Sequence, residues 1–519
     1  MRAACSGSSA LVETFDSLLL GFSVAFRPDV LWYAFIGCLV GTLVGMLPGI
    51  GPLAGISILL PLTFGLDATK AIVMLAGIYY GSQYGGSTTS ILLRIPGEAA
   101  SVMTCIDGNA MAKKGRAGAA LCIAAVGSFI AGTFGVIVLT LVAPPLAGFA
   151  LRFGPPEYAA LLVVGLIFLA YMSTSSLPRT LLMAAFGLLL GTIGIDVMTG
   201  HFRYSFGIAE LGDGIGIVPV AVGLFGLGEI LATPSHKVTG KVISPKLREL
   251  WPNREEWRQA AMPIARGSVL GFLIGIIPGS AHIISSFFSY ALERRISKHP
   301  EEFGKGAVAG VAGPEAANNA ASTGAFVPML ALGLPTGPVT AVLIAALLIH
   351  GVPPGPSLVN DHPKVFWGFV ASMYVGNLML LALNLPLVGL FVNLLRIPYA
   401  YLYPLIVMFC VIGVYEVNHS IVDVWIMLIM GIVGYGLKKF GFDPAPLVLG
   451  LVIAPIFEMS LRQSLIMSNG NYLIFLSRPI SSVLLVICAV LLALAAYGAI
   501  TARRDWRAKL AQVEAGKAV

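Results

Sequence analysis

The sequence predicts an all-α polytopic membrane protein of about 12 transmembrane segments, with broken or re-entrant helices, arranged in two inverted repeats. Of its 519 residues, 57% are hydrophobic and only 11% are charged, whereas soluble proteins carry about 25% charged residues. Apolar segments recur from near residue 17 to residue 501, and a helix that crosses a membrane needs about 20 apolar residues. A motif of Gly and Pro also occurs twice in the chain, as in transporters built from repeats.

The same composition excludes several classes of protein. So few charged residues cannot give a water-facing surface to 54.4 kDa of protein, which argues against a soluble enzyme, a nucleic-acid-binding protein or a disordered chain. The sequence has no GxSxG, HExxH or P-loop pattern, so we expect neither enzyme activity nor ATP hydrolysis. Its six cysteines form no CxxC pair, and no disulfide framework, metal cluster or other cofactor is expected. Glu13 and Asp16 interrupt the first apolar run, so we expect no cleaved signal peptide.

The longest polar stretch, residues 234–259, divides the chain nearly in half and is predicted to be a cytoplasmic linker. Lys and Arg stay on the cytoplasmic side of membrane proteins, and this stretch is rich in both. The net charge of +7 is therefore a sign of orientation. The first membrane half then spans 17–233, the second spans 260–500, and the basic segment 501–519 is predicted to be a cytoplasmic tail.

Two motifs of the first half recur in the second half. Residues 41–49 read GTLVGMLPG and residues 271–279 read GFLIGIIPG. At an offset of 230 residues, Gly41, Gly45, Pro48 and Gly49 match Gly271, Gly275, Pro278 and Gly279. At an offset of 239 residues, Gly85 and Pro96 match Gly324 and Pro335. Because Gly and Pro interrupt helices, we expect breaks or tight turns at both copies.

The distribution of basic residues indicates how the two halves are oriented. Segment 64–70 has one basic residue, whereas its counterpart 293–305 has four. Segment 109–117 has three, whereas its counterpart near 353–365 has one. Equivalent loops thus lie on opposite sides of the membrane, which predicts an inverted repeat. Segment 262–292 has basic flanks on both sides and a Pro-Gly break in the middle, and we expect a hairpin that enters the membrane and returns.

Four polar clusters interrupt the apolar background and are predicted to bind substrate or ion. They occupy residues 48–52, 79–89, 278–282, and 314–324 with a continuation to 338. Where Gly and Pro unwind a helix inside the membrane, free carbonyl groups coordinate Na⁺ and helix N-termini attract carboxylates. The alternative is that small residues only let helices pack closely. Tandem Asn residues and a Pro-Thr-Gly-Pro turn at repeat-related positions favour binding.

Single ionisable residues give weaker indications. Glu98, Glu315 and Arg94 lie in or beside apolar runs, where charged residues are usually functional. Arg94 could pair with a substrate carboxylate or with a structural acid, or reach the membrane interface. Histidines such as His282 lack the spacing of metal ligands, so no metal site is expected. Asp107 lies in a predicted connection and is expected to be solvated.

Four segments resemble the TctA family, the large membrane subunits of the tripartite tricarboxylate transporters. They are GTLVGMLPGIGPL, YYGSQYGGSTTSILLRIPGE, PEAANNAASTGAFVPMLALGLPTGPVTAVL and LLIHGVPPGP, and the similarity covers about residues 17–500. The resemblance implies a multi-pass subunit of a symporter in the bacterial inner membrane. Its partners would be a small membrane subunit, TctB, and a periplasmic solute-binding protein, TctC. A cation gradient, usually of Na⁺, would drive uptake of citrate or another carboxylate, with elevator-like motion.

The resemblance assigns positions of this sequence to the motifs of the family. They are Pro48, Gly49, Ser82, Gly85, Ser87 and Thr88 in the first half, and Pro278, Gly279, Asn318, Asn319, Ser322, Pro335 and Thr336 in the second. We expect Asn318, Asn319 and Ser322 to contact substrate or ion, with Ser87 and Thr88 as their counterparts in role. The two halves are not identical, so the division between substrate ligands and ion ligands stays open.

Two other functions remain as alternatives. A passive carboxylate channel would need neither a cation gradient nor a binding protein. A membrane scaffold without transport activity would tolerate substitution of the polar clusters. The sequence also leaves open which carboxylate is bound, whether Na⁺ or H⁺ is coupled, and the oligomeric state.

Overall fold

A computed structural model of the chain describes residues 2–47, 51–172, 176–196, 198–232, 250–279, 281–386 and 399–494. Within these ranges the chain is helical almost throughout. The helices are α1 (Arg2–Ala25), α2 (Pro28–Met46), α3 (Gly51–Leu59), α4 (Ala68–Leu93), α5 (Val102–Met111), α6 (Ala117–Ala150), α7 (Pro155–Met172), α8 (Leu177–Leu190), α9 (Ile217–Ala221), α10 (Gly228–Ala232), α11 (Arg254–Gly275), α12 (Ala281–Ile296), α13 (Ala309–Gly324), α14 (Phe326–Leu332), α15 (Pro338–Ile349), α16 (Leu358–Asp361), α17 (Pro363–Asn384), α18 (Tyr399–Asn418), α19 (Ile421–Lys439), α20 (Ala445–Met467), α21 (Ile474–Ser477) and α22 (Pro479–Leu494). Short 3₁₀ turns cover Leu60–Thr63, Ala99–Ser101, Ala209–Asp213 and Pro300–Glu302, and π turns cover Ala112–Arg116 and Val222–Leu227. Strands β1 (Gly194–Ile195) and β2 (Phe202–Arg203) pair antiparallel.

Helices α4 and α14 end in matching turns. Arg94 follows α4 and Gly333 follows α14, and both have left-handed backbones, with φ of 59° and 69°. A residue with a left-handed backbone conformation commonly ends a helix, and glycine adopts this conformation at the lowest energetic cost. Pro96 and Pro335, two residues later, prevent the helix from resuming at once. The non-helical segments that follow α4 and α14 therefore occupy equivalent places, 239 residues apart.

Helices α11 and α12 form a hairpin whose tip contains the second Pro-Gly motif. At the tip, Gly279 has φ of 141°, which only glycine adopts readily. Arg266 on α11 joins Glu293 on α12 through two hydrogen bonds, Nε to Oε1 at 2.8 Å and Nη2 to Oε2 at 2.6 Å, so the two arms lie side by side. The corresponding residues of the first half, Pro48 and Gly49, lie outside the described residues.

The two halves share one helix-packing arrangement. In each half, glycines of one helix lie directly against backbone carbonyl oxygens of another, α2 against α4 and α11 against α13, where a Cβ atom would collide with them. The pairs are Gly41 with Ile78, Gly45 with Ser82, Gly271 with Ala317, and Gly275 with Ala321. Both sequence offsets, 230 and 239 residues, are kept in these contacts. This supports a repeat in structure, while the opposite orientation of the halves in the membrane stays a prediction.

Substitution of one of these glycines tests the packing. We expect Gly271→Ala to destabilise the protein by about 1 to 3 kcal/mol, because overpacking forces α11 away from α13. Gly165→Ala in α7 is the matched control, since no atom lies within 4 Å of its Cβ position and Ala favours helix by up to ~1 kcal/mol. Thermal unfolding in detergent should show a lower midpoint for the first variant only. Equal midpoints would contradict the close approach.

Five helices in the described ranges are long and apolar enough to cross a membrane. They are Pro28–Met46, Pro363–Asn384, Ile421–Lys439, Ala445–Met467 and the continuous helical segment Ala99–Ala150. Several shorter apolar helices accompany them, as expected where Gly and Pro break a span. The arrangement agrees with an all-α multi-pass membrane protein, and the total of about 12 crossings stays a prediction.

Helix α11 begins before the predicted domain boundary at residue 260. Its first residue is Arg254 because Asn253 caps it, with Oδ1 accepting a hydrogen bond from the Glu256 backbone N–H at 2.8 Å. The Glu256 side chain in turn accepts a hydrogen bond from Arg116 Nε at 2.9 Å. The basic segment before α6 and the end of the predicted linker therefore lie together. Most of that linker, and the predicted tail 501–519, lie outside the described residues.

Asp107 is buried, so the expectation that it would be solvated is wrong. Its Oδ1 atom accepts hydrogen bonds from the backbone N–H groups of Gly304, Gly306 and Ala307 at 2.8, 2.7 and 2.9 Å. Its Oδ2 atom accepts from the hydroxyl of Tyr290 at 2.8 Å. The loop between α12 and α13 thus folds over α5, and the carboxylate satisfies backbone donors that water would otherwise satisfy.

Removal of this carboxylate is expected to loosen the contact between the halves. Asp107→Ala removes the acceptor of three backbone N–H groups, one of which belongs to the buried residue Ala307, and this should cost about 1 to 3 kcal/mol in stability. Asp107→Asn keeps an oxygen for those donors and should cost clearly less. Hydrogen exchange at Gly304, Gly306 and Ala307 should accelerate in the Ala variant and much less in the Asn variant. Unchanged exchange in both would contradict this role.

The strand pair β1–β2 is held to α20 by charges. Asp196 Oδ2 lies 2.7 Å from Arg462 Nη1, and Arg203 pairs with Glu458 at 2.6 Å. Burial alone would raise the pKa of Asp196, but the hydrogen bonds from Arg462 and from two backbone N–H groups outweigh it and hold the pKa at about 2. The ion pair between Asp196 and Arg462 is therefore fully formed above the ordinary pKa of Asp, and it is lost as the pH falls toward 2.

Candidate functional site

A cavity of about 440 Å³ lies where the broken helices of the two halves meet. Ligand sites in proteins commonly measure about 300 to 1,000 Å³. Its wall consists of Gly51, Pro52, Leu53, Pro96, Gly97, Glu98, Ala99, His282, Ile283, Pro338, Val339, Asp443 and Ala445. Both halves contribute, the second partly through the start of α20, so the cavity exists only because the chain folds back on itself.

Several helices begin at the wall of this cavity. Helix α3 begins at Gly51, α12 at Ala281 beside His282, α15 at Pro338 and α20 at Ala445. The first N–H groups of a helix have no partner within the helix and carry partial positive charge. The described residues of the wall include neither Lys nor Arg, but they include the acids Glu98 and Asp443, and the Ala445 N–H already donates to Asp443 Oδ1 at 3.0 Å. An anion in this cavity would therefore be bound by helix N-termini and backbone donors rather than by a permanent cation.

Glu98 lies in the wall and is tied to α4 and α13. Its side chain is 6% exposed, and its Oε1 atom accepts a hydrogen bond from Asn318 Nδ2 at 3.0 Å. The side-chain amide of Gln83 is oriented so that both its nitrogen and its oxygen have hydrogen-bond partners. Its nitrogen then donates to Glu98 Oε2 at 2.9 Å, and its oxygen accepts from Ser322 Oγ at 3.2 Å. Gln83 and Ser322 are equivalent positions of the two halves, so equivalent residues meet at this point.

A second buried carboxylate, Glu315, lies deeper between the halves. It is 1% exposed, and its two oxygens accept hydrogen bonds from Ser87, at 2.5 Å, and from Thr104. Asn319, four residues after Glu315 on α13, donates through Nδ2 to Ser128 Oγ at 2.7 Å and to the Glu315 backbone oxygen at 3.1 Å. Within the described part of the chain, no ion pair includes Glu98 or Glu315. Both carboxyl groups therefore require a proton or a bound cation.

The structure brings some of the predicted site residues together and separates others. Asn318 and Ser322 join the Glu98 cluster, and Ser87 and Asn319 join the Glu315 cluster. Thr88 lies beside Ser87 at a small cavity. Of the remaining assignments, Pro48 and Gly49 lie outside the described residues, and the others fall on turns or packing faces.

The second-half turns meet each other. The Gly279 N–H donates to the Thr336 backbone oxygen at 2.5 Å, and both residues line a small cavity beside His282. Pro335 lies in the adjacent turn. Pro278 faces the apolar groove between α11 and α12.

Ser82 and Gly85 lie on the face of α4 that packs against α2. The Ser82 hydroxyl donates within its own helix, to the Tyr79 backbone oxygen at 2.7 Å. A Cβ atom on Gly85 would collide with the backbone oxygen of Thr42. Arg94 is exposed, and no ion pair within the described residues includes it. A role in binding for these three residues finds no support in the geometry.

Sequence reasoning missed several residues of the two clusters. Thr104, Ser128 and Asn384 lie outside the four predicted clusters, and polar residues in largely apolar helices were the available signal. Gln83 lies within the predicted cluster 79–89 but is not among the assigned site residues. His282 belongs to the predicted cluster 278–282, and it lines the cavity.

Comparisons with known proteins identify similar chains. The model of the family described as "Tripartite tricarboxylate transporter TctA family" matches residues 31–449. A protein of Agrobacterium vitis named "Uncharacterized 52.8 kDa protein in TAR-I ttuC' 3'region" is 46% identical over 495 residues, which cover 95% of this chain and 99% of the relative. A second protein of that organism, "Uncharacterized protein in TAR-II ttuC' 3'region", is 46% identical over 235 residues, 45% of this chain and 97% of the relative. No solved structure matches the chain.

Proposed function

This chain belongs to the tripartite tricarboxylate transporter TctA family, and we propose that it is the large membrane subunit of a binding-protein-dependent secondary transporter. It imports a tricarboxylate resembling citrate, or a related carboxylate. The substrate binds in the 440 Å³ cavity between the two halves. The family is one of transporter components rather than of enzymes.

The observation that carries this proposal is the convergence of helix N-termini on one cavity without Lys or Arg in its described wall. A carboxylate gains from several N–H donors and helix dipoles there. The absence of a fixed cation also suits a transporter, because a substrate that is held too tightly is not released on the other side.

The two unpaired carboxyl groups support coupling to a cation gradient. An anionic substrate beside ionised Glu98 would experience repulsion in a medium of low dielectric constant. A cation or proton that binds with the substrate removes this repulsion, so the two are taken up together. Na⁺ is the proposed ion, with H⁺ as the alternative.

The proposed transporter works in the bacterial inner membrane with two partners, a small TctB-like membrane subunit and a periplasmic TctC-like binding protein. The binding protein delivers the carboxylate on the periplasmic side. One unit, built from the α11–α12 hairpin and the broken helices around the cavity, then carries the site across the membrane in an elevator-like motion. The basic segments around Arg116 and α11 face the cytoplasm in this arrangement.

Protection of an introduced cysteine tests where the substrate binds. Ala99 is an exposed residue of the cavity wall, and Ala99→Cys should react with a maleimide. A bound carboxylate at ten times its Kd should slow this reaction about tenfold. The maleimide should react only with the introduced cysteine. Cys5 is therefore replaced by Ser in the variants, whereas the other five native cysteines are buried and are kept.

The control is Tyr472→Cys, which replaces a residue 69% exposed outside the cavity wall, and its labelling should not respond to any carboxylate. Citrate, tartrate and succinate form the first panel, with glucose as the neutral comparison. Labelling of the Ala99→Cys variant that no carboxylate slows would argue against this cavity as the substrate site.

A further inference from the structure

We propose that a single Na⁺ ion binds in a second, smaller cavity, separate from the substrate cavity, between α4, α6 and α17. This cavity measures about 10 Å³ and is lined by Tyr84, Ser87, Thr88, Ser128 and Asn384, together with Leu121, Ala124 and Ala125. That volume holds about one water molecule or one ion of similar size. The inference rests on the proposed function, since it locates the ion whose gradient drives uptake.

Two polar groups at this cavity have no hydrogen-bond partner. The Tyr84 hydroxyl and Asn384 Oδ1 are both unpaired, although the two side chains are only 3% and 5% exposed. Buried polar groups without a partner are rare and indicate a missing ligand. The Asn384 amide nitrogen is already engaged with the Leu380 backbone oxygen, at 2.9 Å, and with Thr42 Oγ1, at 3.4 Å. Its oxygen is left as an acceptor without a donor, on a residue that lines the cavity.

The hydroxyl oxygens of Ser87 and Ser128 also have lone pairs to offer. The Ser87 hydroxyl hydrogen is used on Glu315 Oε2, at 2.5 Å, which leaves the lone pairs of its oxygen free. Ser128 Oγ accepts a hydrogen bond from Asn319, at 2.7 Å. A water molecule has two hydrogens to give, whereas a cation is stabilised by every oxygen that surrounds it. An enclosure of hydroxyl and amide oxygens favours a hard cation.

Glu315 supplies the charge that a cation needs. The carboxylate touches Ser87 directly, and no ion pair within the described residues includes it. A buried carboxylate without a cation is costly, and a Na⁺ ion one hydroxyl away would neutralise it. The neighbouring Asn318 and Asn319 connect the two sites, because Asn318 contacts Glu98 in the substrate cavity and Asn319 contacts Ser128 in the ion cavity. Occupation of one site can thus be transmitted to the other through α13.

Binding of ²²Na⁺ to the purified protein, without substrate or partner subunits, tests the inference. Tyr84→Phe removes an unpaired hydroxyl and little else, and Thr88→Val removes another oxygen at constant shape. Each should weaken Na⁺ affinity by about tenfold or more. Tyr80→Phe is the matched control, one turn away on α4, because its hydroxyl pairs with Ser372 and does not line the cavity.

Thermal unfolding distinguishes a variant that no longer binds Na⁺ from a variant that no longer folds. Na⁺ should raise the unfolding midpoint of the wild type, as any ligand of the native state does, and should raise that of Tyr84→Phe much less. In buffer with choline in place of Na⁺, Tyr84→Phe should be at least as stable as the wild type. Undiminished Na⁺ affinity in both cavity variants would overturn the assignment.

If the wild-type protein binds no Na⁺ at any pH, the assignment of the ion site is also overturned. The cavity would then hold a water molecule or a proton instead. The proposed function fails in a different way. If Na⁺ binds as expected but no carboxylate protects the Ala99→Cys variant, the ion site stands and the substrate assignment is wrong.

Discussion

Replacement of both Asn318 and Asn319 by Ala is expected to abolish carboxylate uptake while leaving the protein folded. Asn318 donates to Glu98, and Asn319 donates to Ser128 and to the Glu315 backbone. A hydrogen bond to a buried charged group contributes about 1.5 to 3 kcal/mol, and a neutral one about 1, so loss of both residues should reduce uptake ~100-fold or more. Uptake of a labelled carboxylate into vesicles measures the effect.

The control for this variant is Asn377→Ala. Asn377 is also buried, on α17 against Gly132, but it lines neither the substrate cavity nor the ion cavity. Both variants should elute as monodisperse protein in detergent, and only the double variant should lose uptake. Normal uptake by well-expressed double variant would remove the Asn pair from the site.

Glu98→Gln is expected to have the second largest effect. The amide keeps the size of the side chain and an oxygen for Asn318, but it can carry neither a charge nor a titrating proton. If Glu98 exchanges a cation or proton with the substrate, uptake driven by a gradient should fall by ~100-fold or more, the range expected when a buried charged contact is lost. Binding of the carboxylate, measured by protection of the Ala99→Cys variant, should persist or tighten because repulsion is removed.

Glu157→Gln provides the comparison for Glu98→Gln. Glu157 is another buried acid, 3% exposed, but it accepts hydrogen bonds from Arg478 and from the Gly154 N–H. Its substitution should lower stability and spare uptake by the protein that remains folded. Full gradient-driven uptake by Glu98→Gln would show that this carboxyl group takes no part in coupling.

The repeat can be recognised in the sequence because close helix packing requires glycine at fixed positions. Gly41, Gly45, Gly271 and Gly275 lie against backbone oxygens, where no larger residue fits, so their spacing is visible in the sequence. The turns after α4 and α14 are visible for a similar reason, since Pro96 and Pro335 cannot continue a helix.

The assembly of the site could not be predicted in the same way. Ser87 and Glu315 are 228 residues apart, and nothing local in either segment indicates that they meet. Asp107 looked solvated because it lies near a basic, polar segment, but a loop almost 200 residues later supplies its donors. Ser82 and Gly85 belong to the same polar run as Ser87, yet helix periodicity turns them toward α2 rather than toward α13.

One measurement tests the central claim most directly, namely uptake of labelled carboxylates into vesicles that contain this chain and its small membrane subunit. The binding protein is added outside, with and without an imposed Na⁺ gradient. We predict uptake that requires the gradient, the binding protein and the Asn318/Asn319 pair. Equal uptake without gradient and binding protein would contradict coupling and favour a passive channel. Failure of the folded, assembled complex to take up any carboxylate would contradict the transport function and favour a scaffold.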